Sequence, residues 1–308
     1  MRVPADIVTG FLGSGKTTLL RHVLESGLGG QRVAVVVNDL ADVGIDGRVI
    51  EAGNLGNFET LVELDNGCIC CSIDLRFEYA IQDLVDTVRP DLVLIESTGV
   101  ADPRLLIDKL SQTMLTLDAV ITVVDAVNIE RALRESEAAH GQIGAADFLV
   151  VNKTDLVSAE AIEALERQLS QYNPRALRAR TAFGKVETPI LFGTSVRAYR
   201  ERAGADAHGS TDGIESFTCS LRDPLLRTRF EEFLDHLPLE VYRAKGIVQF
   251  AEESAPSLFN LTCGRASTEW LPARAVMAEG SQGVFIGKGV SRHRERITAG
   301  FLSCSVAV

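Results

Sequence analysis

Eight consecutive residues, Gly10-Phe11-Leu12-Gly13-Ser14-Gly15-Lys16-Thr17, have the types and spacing of a phosphate cradle. The glycines let backbone N–H groups turn inward around phosphate oxygens. A helix starting at the loop adds favourable potential for an anion. Lys16 neutralises charge on the β- and γ-phosphates, and the Thr17 hydroxyl is a Mg²⁺ ligand. The candidate nucleotide contacts are Gly13, Ser14, Gly15, Lys16, Thr17 and Thr18. A second element is Asn152-Lys153-Thr154-Asp155, at the end of an apolar run. The Asp155 carboxylate can accept two hydrogen bonds from guanine N1–H and the exocyclic amine. Adenine lacks that donor pair, so the residue selects GTP or GDP over adenine nucleotides. Asn152 is expected to face the base edge or tie the loop, with the Lys153 stem over the ring. A third element, Glu96-Ser97-Thr98-Gly99, supplies an acid that can hold Mg²⁺ through water. Gly99 follows with an N–H that can sense the γ-phosphate. Lys16, Thr17 and Glu96 are the candidate catalytic residues.

A different chemistry lies in Cys68-Ile69-Cys70-Cys71, after the turn signal Asn66-Gly67. These thiols are too close to pair easily with one another, which favours metal or redox use. Thiolates suit Zn²⁺, Cu(I) or Fe–S, with Co²⁺ also acceptable, over Mg²⁺ or Ca²⁺. Three sulfurs leave one tetrahedral position open, as an exchangeable site requires. Asp39, Asp42, Glu63 or Asp65 could add an oxygen. Cys219, Cys263 and Cys304 are isolated and read as packing residues.

The elements that position these groups follow from apolar patterning. Residues 5–9, 32–38, 92–96, 119–125 and 148–152 read as strands, near-continuous in apolar residues as buried parallel strands require. Residues 16–25, 76–88 and 159–172 read as helices, the last with Ser158 as N-cap and Pro174 just beyond. The alternation predicts an α/β fold of the P-loop NTPase type, a mostly parallel sheet wrapped by helices, over residues 1–200. Residues 201–213 are small, polar and glycine-rich and read as a linker. Residues 214–308 then predict a smaller C-terminal α+β domain. Its strands fall at 214–220, 241–250, 257–263 and 283–286, and its helices at 225–237 and 291–301.

Composition narrows the classes. The 308 residues are 46% hydrophobic and 24% charged, ordinary for a globular protein. A net charge of −11 argues against general nucleic-acid binding or attachment to anionic membranes. No apolar run approaches a membrane span, and the N-terminus lacks a signal-peptide pattern, so a cytoplasmic location with reduced thiols is expected.

The ordered set GFLGSGKTT (10–18), VNDLADVGID (37–46), DNGCICC (65–71), ESTGVADP (96–103) and NKTD (152–155) resembles the CobW/YjiA-type metallochaperone GTPases. These belong to the SIMIBI class of P-loop GTPases. Asn173-Pro174-Arg175-Ala176, Arg243-Ala244-Lys245-Gly246 and Val284-Phe285-Ile286-Gly287 extend the likeness into the C-terminal half. The sequence offers no clear arginine finger or water-positioning glutamine, so intrinsic GTP hydrolysis is expected to be slow. The resemblance implies a GTPase domain and a transition metal at Cys68, Cys70 and Cys71. Zn²⁺ is the first choice, with Co²⁺ or Fe²⁺ as alternatives. It also implies delivery of that metal to a client metalloenzyme, and leaves a homodimer open. This chain has Asn38-Asp39-Leu40-Ala41 where the family often has Asn-Glu-Phe-Gly, so Asp39 is a shorter candidate oxygen ligand. The rival reading is a GTP-dependent assembly or activator factor of the cobalamin-synthesis or nitrile-hydratase type, its metal site purely structural.

Overall fold

The computed structural model describes residues 2–28, 31–37, 58–63, 75–186, 191–192, 214–270 and 280–307. Asp39, Asp42, Asp65, Cys68, Cys70, Cys71 and the 201–213 segment lie outside the described residues. The chain divides into two compact units, residues 2–195 and 196–308.

The first unit is built on a seven-stranded sheet. Its strands are β1 (Val3–Thr9), β2 (Val33–Val37), β3 (Phe58–Glu63), β4 (Leu92–Glu96), β5 (Leu115–Asp125), β6 (Phe148–Asn152) and β7 (Leu177–Arg180). Every pairing is parallel, in the order β3-β2-β4-β1-β5-β6-β7. Strands β2, β4 and β6 are buried along their whole length, because helices cover both faces of a parallel sheet. The helices are α1 (Lys16–Ser26), α2 (Leu75–Val88), α3 (Pro103–Leu110), α4 (Ile129–Glu135), α5 (Glu137–Ala145) and α6 (Ala159–Tyr172). One apolar core lies under α2 and α3, joining Ile7, Val36 and Ile95 to Ile81, Leu84 and Leu106. Another joins Val124, Leu149 and Val151 to Ile143, Leu165 and Leu169.

Helix starts follow local chemistry. Ser158 caps α6 by accepting from the Ala161 amide at 3.3 Å. Asp102 caps α3 through the Arg104 amide at 3.0 Å, with Pro103 in the first turn. Burial raises the Asp102 pKa less than the Arg104 side-chain hydrogen bond lowers it, so the cap stays ionised below the ordinary carboxylate range.

In the second unit, β8 (Ile214–Leu221), β9 (Val241–Val248), β10 (Ser257–Thr262), β11 (Arg265–Trp270) and β12 (Ser281–Lys288) form an antiparallel sheet in the order β11-β10-β9-β12-β8. Helices α7 (Arg227–Asp235) and α8 (Arg294–Ser303) pack on it through an aromatic core. The Phe230 ring meets Phe250, Phe259 and Phe301 edge-on at centroid separations of 5.7, 5.1 and 6.2 Å. Cys219 and Cys304 sit in this core, where burial raises both thiol pKa values, that of Cys304 to about 11. Cys263 departs from its packing expectation. It is half-buried in the two-residue turn between β10 and β11, with φ of 49° at Cys263 and 82° at Gly264. Positive φ at both central positions is the type I′ hairpin pattern.

Among the described residues no helix is long and apolar enough to cross a membrane.

Candidate functional site

Because all seven strands run parallel, the loops leaving β1, β4, β5, β6 and β7 emerge along one edge of the sheet. That edge is where open α/β sheets bind ligands. The loop after β1 holds the glycine-rich segment and leads directly into α1. Gly15 has φ of 104°, and a Cβ there would fall 2.4 Å from Asn152 Nδ2. No side chain fits, so the backbone stays close enough to enclose an anion. Lys16 Nζ donates to the Gly10 carbonyl at 3.1 Å, which folds the ammonium back over the loop. Thr18 is exposed on the first turn of α1.

Thr17 Oγ1 donates to Glu96 Oε1 at 3.2 Å, linking the start of α1 to the end of β4. Glu96 is buried. A hydroxyl beside a carboxylate at a phosphate loop is the donor set of a Mg²⁺ site. Two buried hydroxyls here, Ser14 Oγ and Thr98 Oγ1, have no hydrogen-bond partner among the described residues. Gly99 lies against the phosphate loop, where a Cβ would come 2.8 Å from the Leu12 amide nitrogen. The buried Gln142 of α5 donates to the Gly99 and Ala101 carbonyls at 3.2 and 3.0 Å. It thereby fixes the turn that follows β4.

The loop after β6 is stitched to the phosphate loop. Asn152 Nδ2 donates to the Ser14 carbonyl at 2.9 Å, and Asn152 Oδ1 accepts from the Gly184 amide at 3.1 Å. Of the two roles expected for Asn152, the structure shows loop tying. Lys153 Nζ donates to the Gly13 carbonyl at 2.7 Å and to Asp125 Oδ2 at 2.8 Å. Asp125 ends β5, accepts from the Val127 and Asn128 amides and takes the Asn128 side-chain amide on Oδ2. Burial opposes its ionisation, but the hydrogen bonds from Asn128, Lys153 and Val127 prevail and its pKa is lowered. Asp155 stands exposed at the surface.

The structure thus brings Gly13, Ser14, Gly15, Lys16 and Thr17 together with Glu96, Gly99, Asn152 and Lys153. Among the described residues no group of three or more His, Cys, Asp and Glu side chains is placed to hold a metal. Asp125, Gln142 and Gly184 were not among the expected site residues. Asp125 carried one readable signal, a polar side chain closing an apolar strand, as Glu96 and Asn152 do. Gln142 and Gly184 act through contacts across 43 and 32 residues, with no local pattern.

Comparison with known proteins agrees with this architecture. Residues 4–179 match the CobW/HypB/UreG nucleotide-binding domain, and residues 214–305 match the cobalamin synthesis protein CobW C-terminal domain. The chain is 33% identical to zinc chaperone YjiA of Escherichia coli over 322 residues, covering 97% of this chain and 98% of that one. It is 32% identical to zinc chaperone CobW of Pseudomonas aeruginosa over 241 residues, covering 67% of this chain and 64% of that protein. Aligned by structure, the crystal structure of Zn(II)-bound YjiA GTPase from E. coli covers 99% of both chains at 24% identity and a TM-score of 0.47. With a nucleotide-binding domain on the parallel sheet and a CobW-type domain on the antiparallel one, the chain belongs to the CobW family.

Proposed function

We propose that this protein is a GTP-hydrolysing metallochaperone that carries Zn²⁺ at Cys68, Cys70 and Cys71 and delivers it to a client metalloenzyme in the cytoplasm. The observation that carries the reading is the three-way tie of Lys153 to Gly13 and Asp125, with Asn152 on Ser14. The end of β6 is tied to the phosphate loop, so in this reading recognition of the base by that strand end and of the phosphates is mechanically joined. Relatives named zinc chaperone, and one of Schizosaccharomyces pombe named zinc-regulated GTPase metalloprotein activator 1, support the same reading.

In this reading GTP lies along the sheet edge. Gly13, Ser14, Gly15 and Thr18 hold the phosphates by backbone and hydroxyl groups. Lys16 exchanges the Gly10 carbonyl for β- and γ-oxygens, which neutralises charge that grows as the terminal phosphoryl group departs. Thr17 and Glu96 would hold Mg²⁺, whose charge would screen those same oxygens. The Ser14 and Thr98 hydroxyls, each of which costs about 1–3 kcal/mol while buried without a partner, gain one from phosphate oxygen or bound water. Water attacks the γ-phosphorus, the bond to the β-phosphate oxygen breaks, and GDP and phosphate leave. The Gln142 amide nitrogen is committed to the Gly99 and Ala101 carbonyls, which makes this glutamine a clamp on the turn and accords with the slow intrinsic rate expected from the sequence. Asp155 accepts from the guanine edge. Gly99, on the Leu12 backbone, reads the γ-phosphate and transmits its loss to the cysteine segment. Asp39 is a candidate oxygen ligand to complete the metal's coordination.

The test is Zn²⁺ affinity of anaerobically prepared protein with a non-hydrolysable GTP analogue and with GDP. The expected coupling is about 1–3 kcal/mol, roughly 5–150-fold in metal affinity, with GTP tightened equally by the metal. Equal Zn²⁺ affinity in both nucleotide states removes the proposal. Competition by ATP as effective as by GTP removes its guanine part.

A further inference from the structure

The loop after β7, Thr181-Ala182-Phe183-Gly184-Lys185, belongs to no motif yet discussed. It is nevertheless held at the nucleotide edge from three sides. Thr154 donates to the Thr181 carbonyl through its amide at 3.2 Å and through its hydroxyl at 2.9 Å. Asn152 Oδ1 holds the Gly184 amide. Gly184, with φ of 66°, lies so close to α1 that a Cβ would sit 2.9 Å from the Leu19 amide nitrogen. Thr181 Oγ1 closes the turn by donating to the Lys185 carbonyl at 2.6 Å.

Between these fixed points, Phe183 has φ of 58° and is 68% exposed. An exposed phenylalanine alone means little. A left-handed conformation at a bulky residue costs about 1–2 kcal/mol, and such strain gathers at ligand sites. The described residues include four non-glycine positions of positive φ. Two of them are Lys153, between Asn152 and Asp155, and Phe183, in the loop that Thr154 and Asn152 hold by hydrogen bonds to Thr181 and Gly184.

We infer that Phe183 is a base-stacking residue: its ring covers one face of the guanine whose other face lies on the Lys153 stem. This rests on the guanine-nucleotide reading above and adds to it a residue, a face and a cause for the strain. The surrounding hydrogen bonds over-determine the turn, so the ring is presented before the nucleotide arrives. An aromatic platform held open in this way costs little further ordering on binding. It contributes affinity for a base without distinguishing one base from another. Selectivity then stays with Asp155, and Phe183 supplies hold.

The experiment is calorimetric titration of the full chain with GDP and Mg²⁺, comparing wild type, Phe183→Gly and Phe183→Trp. Glycine accepts the left-handed turn without strain, so Phe183→Gly removes the ring and keeps the loop. The expected result is a loss of GDP affinity of about 5–150-fold at unchanged or raised thermal midpoint, with affinity for tripolyphosphate unchanged. Phe183→Trp keeps GDP affinity within about twofold, and GDP but not tripolyphosphate quenches the added indole fluorescence over the Trp270 background. GDP binding by Phe183→Gly at wild-type strength, or an indole in Phe183→Trp that does not respond to GDP, overturns the inference while leaving the guanine reading intact. Wild type that binds GDP and ADP equally overturns the guanine reading itself, and the inference with it.

Discussion

Asp125 shows how one carboxylate can organise a site through hydrogen bonds to its neighbours. It ends a buried strand, closes a turn through the Val127 and Asn128 amides, and holds Lys153 against Gly13. Replacing it with alanine removes several charge-assisted hydrogen bonds and leaves Lys153 with the Gly13 carbonyl alone. Hydrogen bonds to charged groups are each worth about 1.5–3 kcal/mol, so Asp125→Ala should lower both stability and GDP affinity by an amount of that order. The pH dependence has a definite sign. The folded carboxyl ionises below its ordinary value, so between the two pKa values the unfolded chain binds the extra proton. Asp125 therefore contributes stability that is complete above about pH 4 and is lost as the pH falls toward the folded value. Urea unfolding at several acidic pH values should show a shallower acid limb for Asp125→Ala than for wild type. Parallel limbs would mean that the carboxylate is not held as described.

At the scale of elements, the turn after β4 depends on its clamp from α5. Gln142 is buried, its Nε2 bonds the Gly99 and Ala101 carbonyls, and its own carbonyl accepts from the Thr122 hydroxyl at 2.8 Å. Gln142→Ala leaves two buried carbonyls short of a donor, at about 1–3 kcal/mol each. The expected outcome is a less stable first unit in which discrimination between a GTP analogue and GDP weakens, because Gly99 is no longer held on Leu12. Isothermal titration with both nucleotides checks it, and an unchanged ratio of affinities counts against the clamp.

The same scale shows what could be read from the chain. Buried strands such as VAVVV and LVLIE were legible because a parallel strand covered on both faces has to be apolar throughout. Strands β7 (LRAR) and β11 (RASTEW) were not, since both lie at sheet edges, partly exposed, with polar residues that carry little pattern. The short helices α4 and α5 escaped because Ser136 alone separates them and neither is long enough for a strong period. Phosphate-loop chemistry was legible since it is local. Gln142, Gly184 and Phe183 were hidden because their roles come from chain segments distant in sequence.

For the whole molecule, each unit closes its own core. The residues assigned to nucleotide and metal all belong to the first unit, while the second is held by seven phenylalanines gathered around α7 and α8. Phe230 is fully buried at the centre of that cluster. Truncating such a ring costs about 3–5 kcal/mol, from lost burial and from the cavity left behind. If the two cores are thermodynamically separate, Phe230→Ala lowers only the transition of the C-terminal unit in a calorimetric scan. GDP affinity below that transition then stays within about twofold of wild type, as additivity of independent sites requires. If GDP affinity falls in step with the destabilisation, the C-terminal unit contributes to the nucleotide-binding state, and its antiparallel sheet has to be counted as part of the nucleotide-binding machinery.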